Sequence, residues 1–417
     1  MSAVSTASES VPEKSFRDVW LITIAHSLTH WYPATFYLIL PLIGRELGLS
    51  YSEIGFVMTS QYIAGAVSNI PGGMLVDTVG KKGLLMAVAL FWIGFPYFLM
   101  SFTHSYWLLL MCVTLVGIGN NLWHPTAIPT LAQRYPERKG LVLSFHGMGG
   151  NLGDALAPLA VGALLAVFTW REIVVVNVVP GIIMACLILY FLGALRIGAS
   201  KRKRAPERHE GQSVAEYTRG LRELLKNREL ILLAVSSGFR SMTQNGLLTF
   251  LPVFLAYEMG YSPLWVGACM FVLQAAGFAA SPIAGHLSDT MGRRRILMTS
   301  MAMTGVVLVF MAIAGRSLAF VFFIAVLGFF LYAIRPVLQA WTLECTPKKM
   351  GGTSIGVLFG VQAIGSSISP AIGGMLADRY GLMSVFVFLA VTIVIANLFI
   401  LFMPARAKGR ADTPAAA

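Results

Sequence analysis

Twelve stretches of this chain are apolar for long enough to cross the hydrocarbon core of a bilayer, and that one feature removes most folds from consideration. A spanning helix needs about 20 such residues. The runs fall at 17–43, 53–76, 84–102, 105–133, 140–168 and 172–195, then at 229–256, 263–288, 296–315, 318–344, 351–377 and 382–403. In lipid, every backbone N–H and C=O of a lone segment must be satisfied within it, so each run is expected as an α-helix. Soluble packing could not hide this much apolar surface. Hydrophobic residues make up 56% of the chain and charged residues 12%, about half the charge of an ordinary globular domain.

The formal charge of +12 raises the question of nucleic acid, and the positions of the 31 basic residues answer it. With the N-terminus placed in the cytoplasm, 25 of them fall on that side: Lys14, Arg17, Lys81, Lys82, Arg134, Arg138 and Lys139, ten between Arg196 and Arg228, then Arg293–Arg295, Lys348, Lys349, Arg406, Lys408 and Arg410. Arg45, Arg171, Arg316 and Arg379 fall on the other side, and Arg240 and Arg335 lie within helices. Such asymmetry sets membrane topology, and it survives only for an even number of spans, which places both termini in the cytoplasm. The Lys201–Arg204 run sits in a short loop between spans, where it faces anionic lipid; no nucleic-acid partner is expected. The first sixteen residues lack a basic stretch before a short apolar core, so the first span is expected to act as its own signal. Cys112, Cys186, Cys269 and Cys345 lie inside apolar runs without disulfide or metal spacing. The chain has no Asn-x-Ser/Thr acceptor, which favours a bacterial inner membrane over a eukaryotic surface.

The chain also repeats itself. GMLVDTVGKK at 73–82 returns as GHLSDTMGRR at 285–294, an offset of 212 residues. Pro158 and Pro370 stand at the same offset, while Pro41 with Pro252, and His124-Pro125 with Arg335-Pro336, stand 211 apart. Four landmarks at one distance indicate a duplicated six-helix unit. The expected architecture is an all-α membrane protein, twelve transmembrane helices in two pseudo-symmetric six-helix bundles at 1–196 and 229–417. A basic cytoplasmic linker at 197–228 joins them. Two similar bundles around a shared midplane cavity can rock against each other, the geometry of secondary transport.

The element G-x-x-x-D-x-x-G-[RK]-[RK], present twice, resembles the loop motif of the major facilitator superfamily. Its matching residues are Gly73, Asp77, Gly80 and Lys81, then Gly285, Asp289, Gly292 and Arg293. The resemblance implies that the acid and basic residues of these loops clamp neighbouring cytoplasmic helix ends in the outward-open state. Within the superfamily, SLTH at 27–30, GIGNNLWHP at 117–125 and LSFHGMGGNLGDALAPL at 143–159 resemble the fosmidomycin-resistance-type efflux proteins. That likeness implies antiport of drugs against protons, and it implies that the first, fourth, seventh and tenth helices surround the cavity.

Ionisable groups at membrane depth are costly, and each is a candidate for function. His26 and His30 share one face of the first helix, with Tyr32 nearby. Arg240 with Gln244 and Arg335 with Gln339 repeat that spacing in the seventh and tenth helices, and the fourth carries Asn120, Asn121 and His124. These ten residues are the candidate cavity lining. The histidines serve either as helix-to-helix hydrogen bonds or as functional groups. The arginines, always charged, either pair with acids or hold an anionic substrate. Asp154 is the sole carboxylate near the middle of a span, with His146 two turns away. The two are candidates for proton coupling, the alternative for Asp154 being a static partner for an arginine or an asparagine. Gly147, Gly149, Gly150 and Gly153 in the fifth helix, like Gly356, Gly360, Gly365, Gly373 and Gly374 in the eleventh, permit close helix approach.

No metal-ligand spacing and no ATP-binding loop is present, so no metal and no cofactor are expected beyond the proton gradient. The leading expectation is a monomeric, proton-coupled exporter whose partners are a small organic substrate, possessing a negative charge in the reading that uses both arginines, together with protons and membrane lipids. Proton-symport uptake of an organic anion fits the same architecture. A membrane-embedded lipid enzyme would need paired acids or a catalytic triad, neither of which is legible, and a sensor would need a larger soluble domain.

Overall fold

A computed structural model of the chain describes residues 16–193, 222–347 and 350–403, and within the helices it leaves aside the side chains at 69–70, 73–74, 77–78, 120–121 and 351–352. The expected linker at 197–228 lies largely outside the described residues. Twelve long helices are found among them. The first six are α1 (Phe16–Leu47), α2 (Tyr51–Val79), α3 (Lys82–Met100), α4 (Tyr106–Arg134), α5 (Lys139–Leu164) and α6 (Trp170–Leu192). The second six are α7 (Arg228–Tyr257), α8 (Pro263–Met291), α9 (Arg293–Ala314), α10 (Leu318–Glu344), α11 (Gly351–Tyr380) and α12 (Met383–Leu401).

Local chemistry explains where several of these begin and end. Ser50 and Glu53 close a capping box at the start of α2, and Thr169 and Glu172 do the same for α6, so the first free N–H groups find acceptors within the chain. Gly80 (φ 66°) and Gly292 (φ 94°) turn the chain at equivalent places after α2 and α8, in a backbone region that suits glycine alone.

Eight helices meet the hydropathy expected of a membrane span by themselves. The other four, α1, α2, α5 and α7, are long enough but diluted by His, Ser, Thr, Gly, Gln and Arg. Dilution is tolerable where the polar side chains bond to neighbouring helices, as Ser27 of α1 does to α5, Thr59 of α2 to α11 and Ser241 of α7 to α11. Within the first half α1 lies on α5, α2 on α4 and α3 on α6; within the second α7 lies on α11, α8 on α10 and α9 on α12. The halves meet through two equivalent pairs, α2 with α11 and α5 with α8. Glycines permit this approach at matching positions. A Cβ on Gly153 would collide with the Ser27 carbonyl and one on Gly365 with the Gly238 carbonyl; Gly55 and Gly267 stand in the same way against Pro370 and Pro158 across the interface. Outside, large apolar side chains such as Phe91, Trp92, Phe322 and Val391 are exposed, a surface fit for lipid.

The two ends of the assembly differ. Where α1 meets α2, the Asp378 carboxylate of α11 accepts hydrogen bonds from the Tyr51 and Ser52 amides, both at 2.9 Å, capping α2 from the opposite half. Arg45 donates to the Ala256 carbonyl at 2.6 Å, and the Tyr257 hydroxyl donates to the Pro41 carbonyl at 2.7 Å. At the other end, which carries most of the described basic residues, a Cβ placed on Gly140, Gly147, Gly356 or Gly360 would touch nothing within 4 Å. The halves are bolted at the Arg45–Asp378 end and spread at the basic end.

Candidate functional site

The gap between the halves holds a cavity of about 470 Å³ lined by both. Its N-terminal wall comes from α1, α4 and α5 and presents His26, His30, His124, His146, Asn151 and Asp154. The C-terminal wall comes from α7, α8 and α10 and presents Gln244, Gln274, Tyr332, Arg335 and Gln339.

On the N-terminal wall the polar groups satisfy one another. The His26 Nδ1–H donates to the His146 carbonyl at 2.6 Å, because a carbonyl can only accept. In the neutral ring this makes His26 Nε2 an acceptor, and His124 Nε2, 3.1 Å away, donates to it. The Trp123 indole N–H donates to His146 Nε2 at 3.3 Å, and the His146 ring stacks on His26 with centroids 3.7 Å apart. His30 Nδ1 donates to Asp154 Oδ2 at 2.9 Å; these two side chains are 30% and 32% exposed, the part of the network that faces the cavity. Gly150 sits beneath the rings, where a Cβ would come within 2.8 Å of His26 Cε1 and 3.0 Å of His30 Nε2. The ring nitrogens of His26, His30 and His124 converge within 4.8 Å of one another, although their positions in the sequence have no metal-site spacing.

The C-terminal wall is different in kind. Arg335 is exposed in the cavity and makes no ion pair among the described residues. Gln339 lies one turn on, with Gln244 and Gln274 on the flanking helices. Asp154, the one carboxylate of the cavity lining among the described residues, is engaged by His30 on the opposite wall.

The structure brings together His26, His30, His124, His146, Asp154, Gln244, Arg335 and Gln339 of the residues expected from sequence. Tyr32 does not join them. Two positions beyond His30 means about 200° around a helix, so Tyr32 points away from the cavity and is fully buried, against Gly94 of α3 and Gly181 of α6. Arg240 also misses the lining. It is 3% exposed, donates to the Leu331 carbonyl of α10 at 3.4 Å, and its Nε has no partner. The side chains of Asn120 and Asn121 lie outside the described residues. Gln274, which the sequence leaves open between interhelix contact and cavity lining, joins the lining. Phe278 and Ser281 of the same helix and Asn151, four positions from Gly147 in the glycine run, carry no sequence signal that singles them out, because α8 is not one of the expected cavity helices.

The second copy of the loop motif forms a clamp inside its own half. Arg293 pairs with Asp289 at 2.6 Å and with Glu344 of α10 at 2.8 Å, tying together the ends of α8, α9 and α10, while Gly292 supplies the turn and Gly285 faces open space. In the first copy Gly80 supplies the turn, Lys81 is exposed, and it is Lys82 that folds back, its Nζ donating to the Val76 carbonyl at 2.7 Å. The side chain of Asp77 lies outside the described residues, and Gly73 falls within α2.

Comparison with known proteins agrees with this architecture. The family model described as the Major Facilitator Superfamily matches residues 19–280 and 265–417. The phosphoglycerate transporter protein of Salmonella typhimurium is 23% identical over 393 residues, covering 87% of this chain and 83% of that one. The putative multidrug resistance protein MdtD of Citrobacter koseri is 22% identical over 416 residues, covering 89% and 88%. Among solved structures, a bacterial homolog of the human lysosomal transporter Spinster superposes with a TM-score of 0.80 at 16% identity, covering 94% of this chain and 97% of that one. Twelve helices of membrane-spanning length, a duplicated half and a shared polar cavity thus meet a family match over nearly the whole sequence: the chain belongs to the major facilitator superfamily and is a multi-pass membrane transporter, not an enzyme.

Proposed function

We propose that this transporter exports a small organic anion from a bacterial cytoplasm in exchange for protons, as a member of the fosmidomycin-resistance type. The observation that carries the substrate class is Arg335, a guanidinium exposed in the cavity with no carboxylate of its own, flanked by Gln244, Gln274 and Gln339. A fixed charge at membrane depth needs an anion, and an anion entering from the open end would bring one. Amides beside it supply donors and acceptors for the remainder of the solute. That the relatives include a phosphoglycerate transporter and a multidrug resistance protein is in keeping with this reading. The glycine-rich fourth and fifth helices that resemble drug–proton antiporters support the direction and the counter-ion.

In this reading the bundles span 1–196 and 229–417 with the linker 197–228 and both termini in the cytoplasm. The bolted Arg45–Asp378 end is then periplasmic, the spread basic end cytoplasmic, and the arrangement described is the inward-facing one. The Asp289–Arg293–Glu344 clamp keeps the ends of the second half rigid as they move, and the protein works as a monomer in the lipid. Everted vesicles test the proposal. Export predicts that a proton gradient drives accumulation of an organic anion from a toxic-compound and anion panel into vesicles overproducing the protein, and that Arg335→Gln abolishes it. Efflux from preloaded vesicles under the same gradient would identify symport uptake instead, and indifference to the whole panel would refute anion transport.

A further inference from the structure

We propose that His26, His30 and His124 form a binding site for one divalent transition-metal ion, with Zn²⁺ and Co²⁺ as its natural chemistry. This goes beyond the transport reading and stands on geometry alone.

The three rings come from two helices, His26 and His30 from successive turns of α1 and His124 from α4, and their ligating nitrogens lie within 4.8 Å of one another. His26 Nε2 and His124 Nε2 are already 3.1 Å apart. Two imidazole nitrogens bound at 2.0–2.1 Å to one tetrahedral ion stand about 3.3 Å from each other. That pair already has the required separation, and binding needs the two rings to turn so that both lone pairs meet at the ion. His30 closes the set by a modest swing of a ring that is partly free on the cavity wall.

The second nitrogen of each α1 ring is held in the manner that metal-binding histidines favour. A ligating imidazole usually donates its other N–H to a backbone carbonyl or a carboxylate, which fixes the tautomer and aims the lone pair. His26 Nδ1 donates to the His146 carbonyl at 2.6 Å and His30 Nδ1 donates to Asp154 at 2.9 Å, so each ring keeps Nε2 for a ligand. The stacked His146 ring and the Trp123 indole fix the first of these from behind. Gly150 leaves the room that both rings occupy.

Three protein ligands leave a fourth position, and here it opens into the cavity. Arg335 on the facing wall opposes a bare dication and favours one that carries an anionic fourth ligand. On binding, His124 changes tautomer, its proton moving from Nε2 to Nδ1 by exchange with solvent, so that both rings stay neutral and the ion takes the two Nε2 lone pairs.

The test uses the full-length protein purified in detergent and stripped of metal, with neither substrate nor gradient present, so its outcome is separate from that of the transport assay. Titration with Co²⁺ is expected to give one tight equivalent per chain with the ligand-field spectrum of a tetrahedral nitrogen site, displaced by Zn²⁺. His124→Ala should abolish it. His30→Gln, on the cavity surface and outside the packed core, should raise Kd by at least about tenfold, and Asp154→Asn, which reaches the ion only through His30, by about 10- to 100-fold. Thermal melting without metal reports whether each variant is folded. An octahedral spectrum, absence of saturable binding in the folded wild type, or binding unchanged in His30→Gln would overturn the site.

Discussion

The two walls of the cavity are built from repeats of one ancestral unit, yet they handle polarity in opposite ways. On the N-terminal wall, His26, His124, His146 and the Trp123 indole bond to one another and His30 bonds to Asp154, so each of these side chains has a partner before any solute arrives. On the C-terminal wall, the position equivalent to His124 is Arg335, and no acid accompanies it. Buried polar networks that are satisfied hold a shape, whereas an unpaired charge invites a ligand. Duplication supplied the scaffold twice, and divergence at a handful of positions made one wall a fixed constellation and the other an open valence.

The strongest way to break that contrast is Arg335→Gln. Hydrogen bonds to a charged group contribute about 1.5–3 kcal/mol, so affinity for a transported anion, measured in detergent by calorimetry, should fall about 10- to 100-fold. Undiminished affinity would show the C-terminal wall to be as self-contained as the other. Next comes the rigidity of the N-terminal wall. Gly150→Ala forces a methyl against His26 and His30, and overpacking of this kind costs about 1–3 kcal/mol. Its thermal stability should drop, while Gly140→Ala, where a Cβ meets nothing, should leave stability equal or raise it. Equal melting curves for the two variants would contradict the packed wall.

The ends of the molecule offer a third test. Asp378→Ala removes two amide hydrogen bonds that join the halves, each worth about 1 kcal/mol net. Labelling of a cysteine placed near the bolted end should rise by about tenfold as the closed population falls; unchanged labelling would mean that the glycine contacts at Gly55 and Gly267 suffice. The smallest effect is expected at the basic end. Arg293 is largely shielded, but Asp289 and Glu344 are well exposed, so Arg293→Ala should lower stability by less than about 1 kcal/mol while altering transport rate. A large loss of stability would instead give the clamp a structural role.

Much of this molecule was readable from residues in a row. The apolar runs map onto the twelve helices with end shifts of a few residues, and helix starts recur at the repeat distance, Tyr51 and Pro263 for instance. Of the glycines expected to permit close approach in the fifth and eleventh helices, Gly149, Gly150, Gly153, Gly365, Gly373 and Gly374 do lie at close crossings, Gly153 on α1 and Gly365 on α7, whereas Gly147, Gly356 and Gly360 face open space. Arg240 and Gln244 show where such reading runs short. They share a helical face, yet Gln244 reaches the cavity and Arg240 is sealed against α10, because a helix packed at an angle offers one stripe to different neighbours along its length. Tyr32 shows the finer error, since nearness in sequence to His30 does not mean a shared face.

By itself the sequence determined that the chain must live in lipid, that it is a helical duplication and that charge is concentrated at one end, since hydropathy and charge bias act on each segment separately. Only the tertiary structure decided which polar side chains meet, that three histidines from two helices converge, and which end is bolted. Those properties depend on the azimuth of each helix about its axis and on the tilt of one half against the other, and neither quantity is written in the periodicity of a single segment.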